Sequence, residues 1–255
     1  MHRDRHNLLS RGSWLALLVT ALPFGSALAD DPGPGRFQSA RLDAGPLPLT
    51  RLLRVPAAAA RAQVSIRCVA LVSSNGLMAR TRCESPDKAH RRAAVAIRSA
   101  AKRARPAVAT IDENPVAVWV EFRVEFDAAD GQRTARLYHH HDPEDRAADF
   151  IAPQRALTGY ASECETIAIT PIELTVSRTG VPLTVSMDTA LPPECRNDIP
   201  GILAGSIYLP AQSDGQPVEA TVRTRLYRAQ SSNNASVILY DEFDPNLRAP
   251  VEEFE

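Results

Sequence analysis

The chain reads as an α+β protein made of two tandem ββαβ(β) units, each a small antiparallel sheet covered by one helix. Three observations predict this. Landmarks recur at a nearly constant offset, apolar and polar residues alternate over several long stretches, and one Ala- or Ile-rich helical segment lies between the strand pairs of each copy. Ser73-Ser74-Asn75-Gly76 returns as Ser177-Arg178-Thr179-Gly180, and Arg105-Pro106-Ala107 as Leu209-Pro210-Ala211, both 104 residues on. Pro115-Val116 then returns as Pro217-Val218, and Leu137-Tyr138 with Asp142-Pro143 as Leu239-Tyr240 with Asp244-Pro245, both 102 residues on. Scattered coincidence would not hold one register through so many different landmarks.

The N-terminus comes first. Arg3, Arg5 and Arg11 precede an apolar stretch from Trp14 to Leu22, and Ala27-Leu28-Ala29 forms a small-x-small site before Asp30. The apolar stretch falls well short of the ~20 residues of a spanning helix. Residues 1–29 therefore read as a secretory signal cleaved after Ala29, and the product as an exported, periplasmic protein. All four cysteines, Cys68, Cys83, Cys164 and Cys195, follow the signal. An even count in an exported chain predicts disulfides rather than thiol chemistry or zinc.

Residues 30–52, with their Pro and Gly, read as a flexible lead, and residues 53–146 as the first copy. There Val64, Ile66, Cys68, Ala70 and Val72 share one face of a strand, and Asn75-Gly76 turns it into a second strand from Leu77 to Cys83. Ser85-Pro86-Asp87 supplies N-cap chemistry for a helix from about Asp87 to Ala104, which ends before Pro106. Ala89, Ala93, Ala96, Ile97, Ala100 and Ala104 give it a shallow apolar stripe suited to close packing on a sheet. Val116 to Phe126 has the two-residue period of a half-buried strand, and Asp130-Gly131 turns it into a fourth strand, about Arg133 to His139.

Residues 147–165 read as a linker and residues 166–248 as the second copy. Its strands run from Ile167 to Val176, Val181 to Met187, Val218 to Tyr227 and Ser236 to Tyr240. A helix from about Arg196 to Tyr208 carries Ile199, Ile202, Leu203 and Ile207. Residues 249–255 form an acidic tail.

Four cysteines allow three connectivities. Pairing across a two-residue Asn75-Gly76 loop sets facing positions that sum to 151, which places Cys68 opposite Cys83 at a hydrogen-bonded site with α carbons about 5.5 Å apart. Cys164 and Cys195 remain to tie the start of the second copy to its helix.

Val55-Pro56, the strand from Val64, Asn75-Gly76-Leu77-Met78, the Ala-rich helix, Arg105-Pro106-Ala107 and the Val116 to Phe126 strand together resemble the TonB C-terminal domain. That family has a Tyr-Pro element, a strand, a Gly-centred turn, a helix followed by Pro-Ala, and a Gly-x-Val strand. The second copy is similar to it through Arg178-Thr179-Gly180-Val181-Pro182, Leu209-Pro210-Ala211 and Asp214-Gly215-Gln216-Pro217-Val218. The resemblance implies periplasmic domains that contact outer-membrane receptors by adding a strand to a sheet edge, with membranes met only through such partners. Val55 stands where the family has tyrosine, and the Pro/Lys/Glu-rich rod is missing. The N-terminal apolar segment looks cleavable, whereas a true energy transducer keeps its anchor; an uncleaved segment would make the chain a membrane-anchored energy transducer instead.

Composition narrows the function. The 255 residues are 44% hydrophobic and 23% charged with a formal net charge of −1, which excludes collagen, mucin and coiled coil and gives no global attraction for nucleic acid. No GxSxG elbow, Walker loop, HExxH or Cys/His pairing occurs, so the expectation is a non-enzyme without cofactor or small-molecule substrate. The expected partner is a protein, an outer-membrane receptor or another envelope component. If the fourth strands are outermost, Leu137-Tyr138 and Leu239-Tyr240 mark the pairing edges; alternatively the two copies pair edge to edge and satisfy each other.

Two charged features stand beside this reading. His139, His140 and His141, with Asp142, Glu144 and Asp145, could hold Zn, Cu or Ni in an exported metal-binding or stress-related protein. The second copy has Asp241-Glu242-Phe243 there, which instead suggests a solvated loop. Lys88, Arg91, Arg92, Arg98, Lys102, Arg103 and Arg105 oppose only Asp87 along the first helix and could meet acidic lipid, polymer or protein. They could also form a plain solvated face, or attract the six acidic residues between Asp241 and Glu255.

Overall fold

In the computed structural model the strands follow the two-residue alternation of the sequence. The described residues are 36–56, 64–84, 87–127, 133–141, 149–156, 169–187, 200–230 and 237–241. In the first half these form β1 (Phe37–Gln38), α1 (Leu49–Leu52), β2 (Val64–Val72), β3 (Met78–Cys83), α2 (Lys88–Ala101), β4 (Ala109–Ile111), β5 (Asn114–Val116), β6 (Val118–Asp127) and β7 (Thr134–Tyr138). The second half carries β8 (Gln154–Ala156), β9 (Ile169–Val176), β10 (Pro182–Met187), β11 (Tyr208–Leu209), β12 (Ala211–Ser213), β13 (Gln216–Val218), β14 (Ala220–Gln230) and β15 (Val237–Asp241). Residues 200–204 are helical. The fold is mixed, dominated by antiparallel strands with few helices. No helix among the described residues is long and apolar enough to cross a membrane. The signal segment, the acidic tail, Cys164 and Cys195 lie outside the described residues.

The largest sheet has the order β11-β8-β6-β2-β3, with β7 also on β6. Val64, Ile66, Cys68, Ala70 and Val72 of β2 and Val120, Phe122, Val124 and Phe126 of β6 share its buried core face. Helix α2 covers that face with Ala93, Ala94, Ile97, Ala100 and Ala101, all at most 1% exposed. Alanine keeps the helix close to the sheet and loses no side-chain entropy there. Asp87 caps α2, its carboxylate accepting from the His90 amide at 2.9 Å, and its other oxygen meets His90 Nδ1 at 2.7 Å.

A second sheet has the order β10-β9-β14-β15. Its register parallels the first: Val72 faces Val118 between β2 and β6, and Val176 faces Ala220 between β9 and β14. The two hairpin turns also correspond. The Gly76 amide donates to Ser73 O at 2.9 Å and the Gly180 amide to Ser177 O at 3.0 Å, with φ of 78° and 79°. Of the stripe expected on the second helix, Ile202 and Leu203 are buried against Ile172, Leu174 and Val176, but Ile207 is exposed because the chain has already turned into β11.

The Asn75-Gly76 turn differs from the expected two-residue loop. Ser73 pairs with Leu77 through the bond from the Ser73 amide to Leu77 O, so the loop holds three residues and ends on Gly76 in the left-handed region. The ladder near the turn is thus one residue off the expected register, and a bulge at Arg80, φ 50°, restores it. Cys68 then faces Cys83 as expected, and the two form a disulfide. Their α carbons lie 4.1 Å apart, the spacing of a non-hydrogen-bonded pair and not of the expected hydrogen-bonded one; the neighbouring Glu84 amide donates to Arg67 O. Closing a loop of 15 residues stabilises by about 3 kcal/mol in the chain-entropy model.

Three segments depart from the expectations more strongly. Of the stretch read as a flexible lead, the described residues 36–52 are part of the fold: β1 pairs with β4, Arg41 exchanges backbone bonds with Ala107 and Leu47 with Arg105, and Ala40, Leu42 and Leu49 are fully buried. The stretch read as a linker contributes β8, which lies between β6 and β11 and so joins strands of both halves in one sheet. The strand expected from Val116 is two elements, because β5 folds back on β4 through Asp112 and Glu113, at φ 49° and 67°. The matching turn between β12 and β13 uses Asp214 and Gly215, at φ 50° and 71°. Both have the positive φ at two successive positions that a tight hairpin of this twist requires.

Candidate functional site

Two of the expected pairing strands stand at sheet margins. Among the described residues β7 pairs only with β6, and β15 only with β14. Leu137 and Tyr138 of β7 are half-buried; Leu137 packs on the main core. Leu239 and Tyr240 lie on β15, opposite Arg228 and Tyr227. The margin next to β7 is limited at one end, where the Ala152 amide donates to His139 O at 2.9 Å.

Beneath β7 the second face of the large sheet holds an arrangement that the alternation alone does not reveal. The polar-looking positions of β6 should face water, yet Trp119 and Arg123 are 2% and 3% exposed. The Arg123 guanidinium lies 4.4 Å from the Tyr138 ring centre, Nε is 3.4 Å from Glu125, and one terminal nitrogen donates to His141 O at 3.4 Å. A guanidinium over a ring face in a water-poor setting is held by the ring quadrupole as well as by its ion pair. Tyr138 is thereby fixed from below.

The three histidines are buried at 6%, 2% and 6% exposure, which overturns the reading of a solvated loop. Each does something different. His139 Nε2 accepts the Leu42 amide at 2.9 Å, so that nitrogen carries no proton. Burial pushes the imidazole down to about 4, against the opposing pull of Asp43, whose carboxylate lies 3.5 Å away. Burial is the largest single influence on the Asp43 carboxyl and would raise it; the Arg41 hydrogen bonds, together with the charges of His139 and Arg41, outweigh it and hold the group below its ordinary value. His140 meets the rings of Tyr138 and Phe150 edge-on. His141 Nε2 donates to Cys68 O at 2.8 Å and its Nδ1 lies 3.0 Å from Glu121. The chain leaves the strand direction at His139 and bends at His140 and His141, so the three adjacent rings reach three different surroundings.

The structure therefore does not bring His139, His140 and His141 together as a ligand set, and no group of three or more His, Cys, Asp or Glu side chains among the described residues is arranged to hold a metal. Asp142, Glu144 and Asp145 lie outside the described residues. What the cluster does instead is fasten the chain leaving β7 to the N-terminal segment, to β2 and to β6.

Gln154 is the counterpart in the second half. Its side-chain amide, 2% exposed, accepts from the Ala40 amide and donates to Ala40 O, both at 2.8 Å. A side chain here imitates a strand. Arg123, Glu121, Leu42 and Gln154 carry no sequence signal that marks them, since each becomes informative only beside a partner far along the chain. Comparison with protein-family models, curated proteins and solved structures finds no match to this chain.

Proposed function

We propose that the chain is an exported, non-enzymatic binding protein with two TonB C-terminal-domain-like units, which takes up an extended polypeptide of an outer-membrane receptor or another envelope protein by strand addition at the β7 or β15 margin. The observation that carries the reading is the marginal position of β15, whose outer backbone groups have no partner strand among the described residues. Such an edge offers a ladder of donors and acceptors, with selectivity left to the alternate side chains.

The duplication that the reading needs is supported by the parallel registers of β2 with β6 and β9 with β14, and by the matching Gly76 and Gly180 turns. The alternative in which the copies satisfy each other accounts for only part of the edges. β8 closes β6 at Val118 and Trp119 and meets β11 at Tyr208 and Leu209, which leaves Thr134–Tyr138 and β15 outside that junction. Export and a cleaved leader fit the Cys68–Cys83 disulfide. On this reading the leader is cleaved and the role is binding; a retained leader would instead make the chain a membrane-anchored energy transducer, and the mass of the mature N-terminus separates the two.

The test is a pull-down with N-terminal segments of outer-membrane receptors and scrambled controls, followed by hydrogen exchange on the complex. Enrichment of the native segments, with new amide protection confined to residues 134–138 or 237–241, is expected. Equal capture of scrambled segments, or protection elsewhere only, would overturn the reading.

A further inference from the structure

Helix α2 is divided sharply by charge. At 100° per residue, continued through the C-cap Lys102 to Arg103, Lys88, Arg91, Arg92, Arg98, Lys102 and Arg103 fall within an arc of about 140°, and the strip runs about 22 Å along the axis. The opposite arc is the alanine face that packs on β2 and β3. Five of the six cations are exposed and Arg98 is half-exposed. None of the six makes an ion pair with a described residue. The 29 basic and 30 acidic residues of the chain nearly cancel, yet no acidic residue lies between Lys88 and Arg105. The cations are thus concentrated on one side.

Fold stability does not account for the strip. Lys88, Arg91 and Arg92 lie in the first turns of α2, where the helix dipole favours anions, and the first turn holds no acidic residue. Lys88 with Arg92 and Arg98 with Lys102 are like-charged pairs four residues apart, which repel. The short helix α1 packs beside α2, and Arg51 on it and Arg54 just after it are exposed. Arg98 and Lys102 stand at the end of α2 that the dipole favours, but the N-terminal cations cost stability, and none of the six finds a counter-charge among the described residues, which points to an anionic partner.

We propose that this face of α2 docks on a membrane surface rich in anionic phosphate headgroups. The chemistry fits because four of the six cations are arginine, whose planar fork engages phosphate oxygens in pairs. The shape fits a plane: the strip is the outward side of α2, opposite the face packed on the sheet, and Val95, 56% exposed, is its only large apolar side chain. An extended polypeptide would instead need a strand edge or a groove. Docking here brings the protein to lipid directly, whereas the family resemblance puts membranes only behind a protein partner.

The test compares the full chain with two matched double charge reversals, Arg91→Glu with Arg92→Glu on the strip and Arg133→Glu with Arg136→Glu on and beside β7. Co-sedimentation with vesicles of phosphatidylglycerol and phosphatidylcholine in equal parts is read against pure phosphatidylcholine, which measures any apolar contribution of residues 1–35. Each cation near an anionic surface strengthens binding by roughly fivefold, so the strip variant should lose at least about 25-fold of the phosphatidylglycerol-dependent binding while the β7 variant loses far less. Raising the salt should abolish the difference between the two, since the screening length shrinks from about 10 Å at 0.1 M to about 3 Å at 1 M. Equal loss in both variants, or no dependence on phosphatidylglycerol, overturns the proposal. So does capture by soluble poly-glutamate with no vesicle binding, which would assign the strip to an acidic polypeptide.

Discussion

Acidification from about pH 7 to about pH 4 should weaken the protein through His139, and the size follows from its surroundings. In the unfolded chain the imidazole titrates at the ordinary 6.5, and in the folded protein at about 4. Between those values the unfolded state binds a proton that the folded state excludes. The contribution of this ring to stability is therefore complete above 6.5, declines as the pH falls toward 4, and changes no further below that. At 1.36 kcal/mol for each pH unit crossed, the loss is about 3 kcal/mol. The cause is specific: a proton on Nε2 would face the Leu42 amide hydrogen, whose acceptor that nitrogen is, inside a site where little water can solvate the new charge. Other groups titrate in the same range, so the measurement is a difference. Urea unfolding of the wild type and of His139→Gln, whose side-chain oxygen can still accept from Leu42, should be followed by tryptophan fluorescence at several pH values. The variant starts less stable near pH 7, and the gap narrows or reverses by about 3 kcal/mol toward pH 4. A gap that stays constant across the window would refute the picture of a buried neutral acceptor. Below that window Asp43, held charged by Arg41, takes over the slope in the same direction.

Two further predictions test how the halves are joined and how alike they are. Gly76→Ala and Gly180→Ala share the left-handed backbone and so share its penalty, about 1–2 kcal/mol. At Gly180 the new methyl group runs into the Tyr208 carbonyl oxygen, whereas at Gly76 it meets Pro106 O at 3.4 Å, so the Gly180 variant should be the less stable by at least about 1 kcal/mol in thermal unfolding. Equal melting temperatures would show that β11 does not press on that turn. Gln154→Ala leaves the Ala40 amide and carbonyl without their partner in a buried setting, at a cost of roughly 2–4 kcal/mol. Limited trypsin digestion should then cut sooner after Arg36 and Arg41, and unchanged digestion would contradict the stitching role of the Gln154 side chain.

Legibility in the sequence divides by distance along the chain. The faces of β2 and β6, the Asp87 cap of α2 and the glycine turns depend on residues within a few positions of one another, and their signals are visible without any structure. The Cys68–Cys83 pairing was legible for the same reason, although a longer loop and a bulge at Arg80 combine to give the register that a simple two-residue turn would have given. Both short hairpins escaped, β4–β5 because Asp112-Glu113 is not a glycine turn, and β12–β13 even though Asp214-Gly215 is one, because three-residue strands are too short to show an alternation. The site was less legible. Leu137, Tyr138, Leu239 and Tyr240 lie on strands that have one neighbour each among the described residues, but the network under Tyr138 was hidden, since an Arg and a Glu on a strand look the same whether they face water or a ring.

By itself, then, the sequence determined the local elements: where strands alternate, where the helix begins, which turns need glycine, and that the landmarks of one half return in the other. Only the tertiary structure decided that the residues after Arg36 are woven into the fold, that β8 bridges the halves, and that three adjacent histidines are buried apart from one another. The physical reason is that these outcomes rest on bonds between positions 114 residues apart at Ala40 and Gln154, 97 at Leu42 and His139, and 73 at Cys68 and His141. Burial and pairing of that kind depend on what the folded chain brings alongside a residue, and no neighbour in sequence records it.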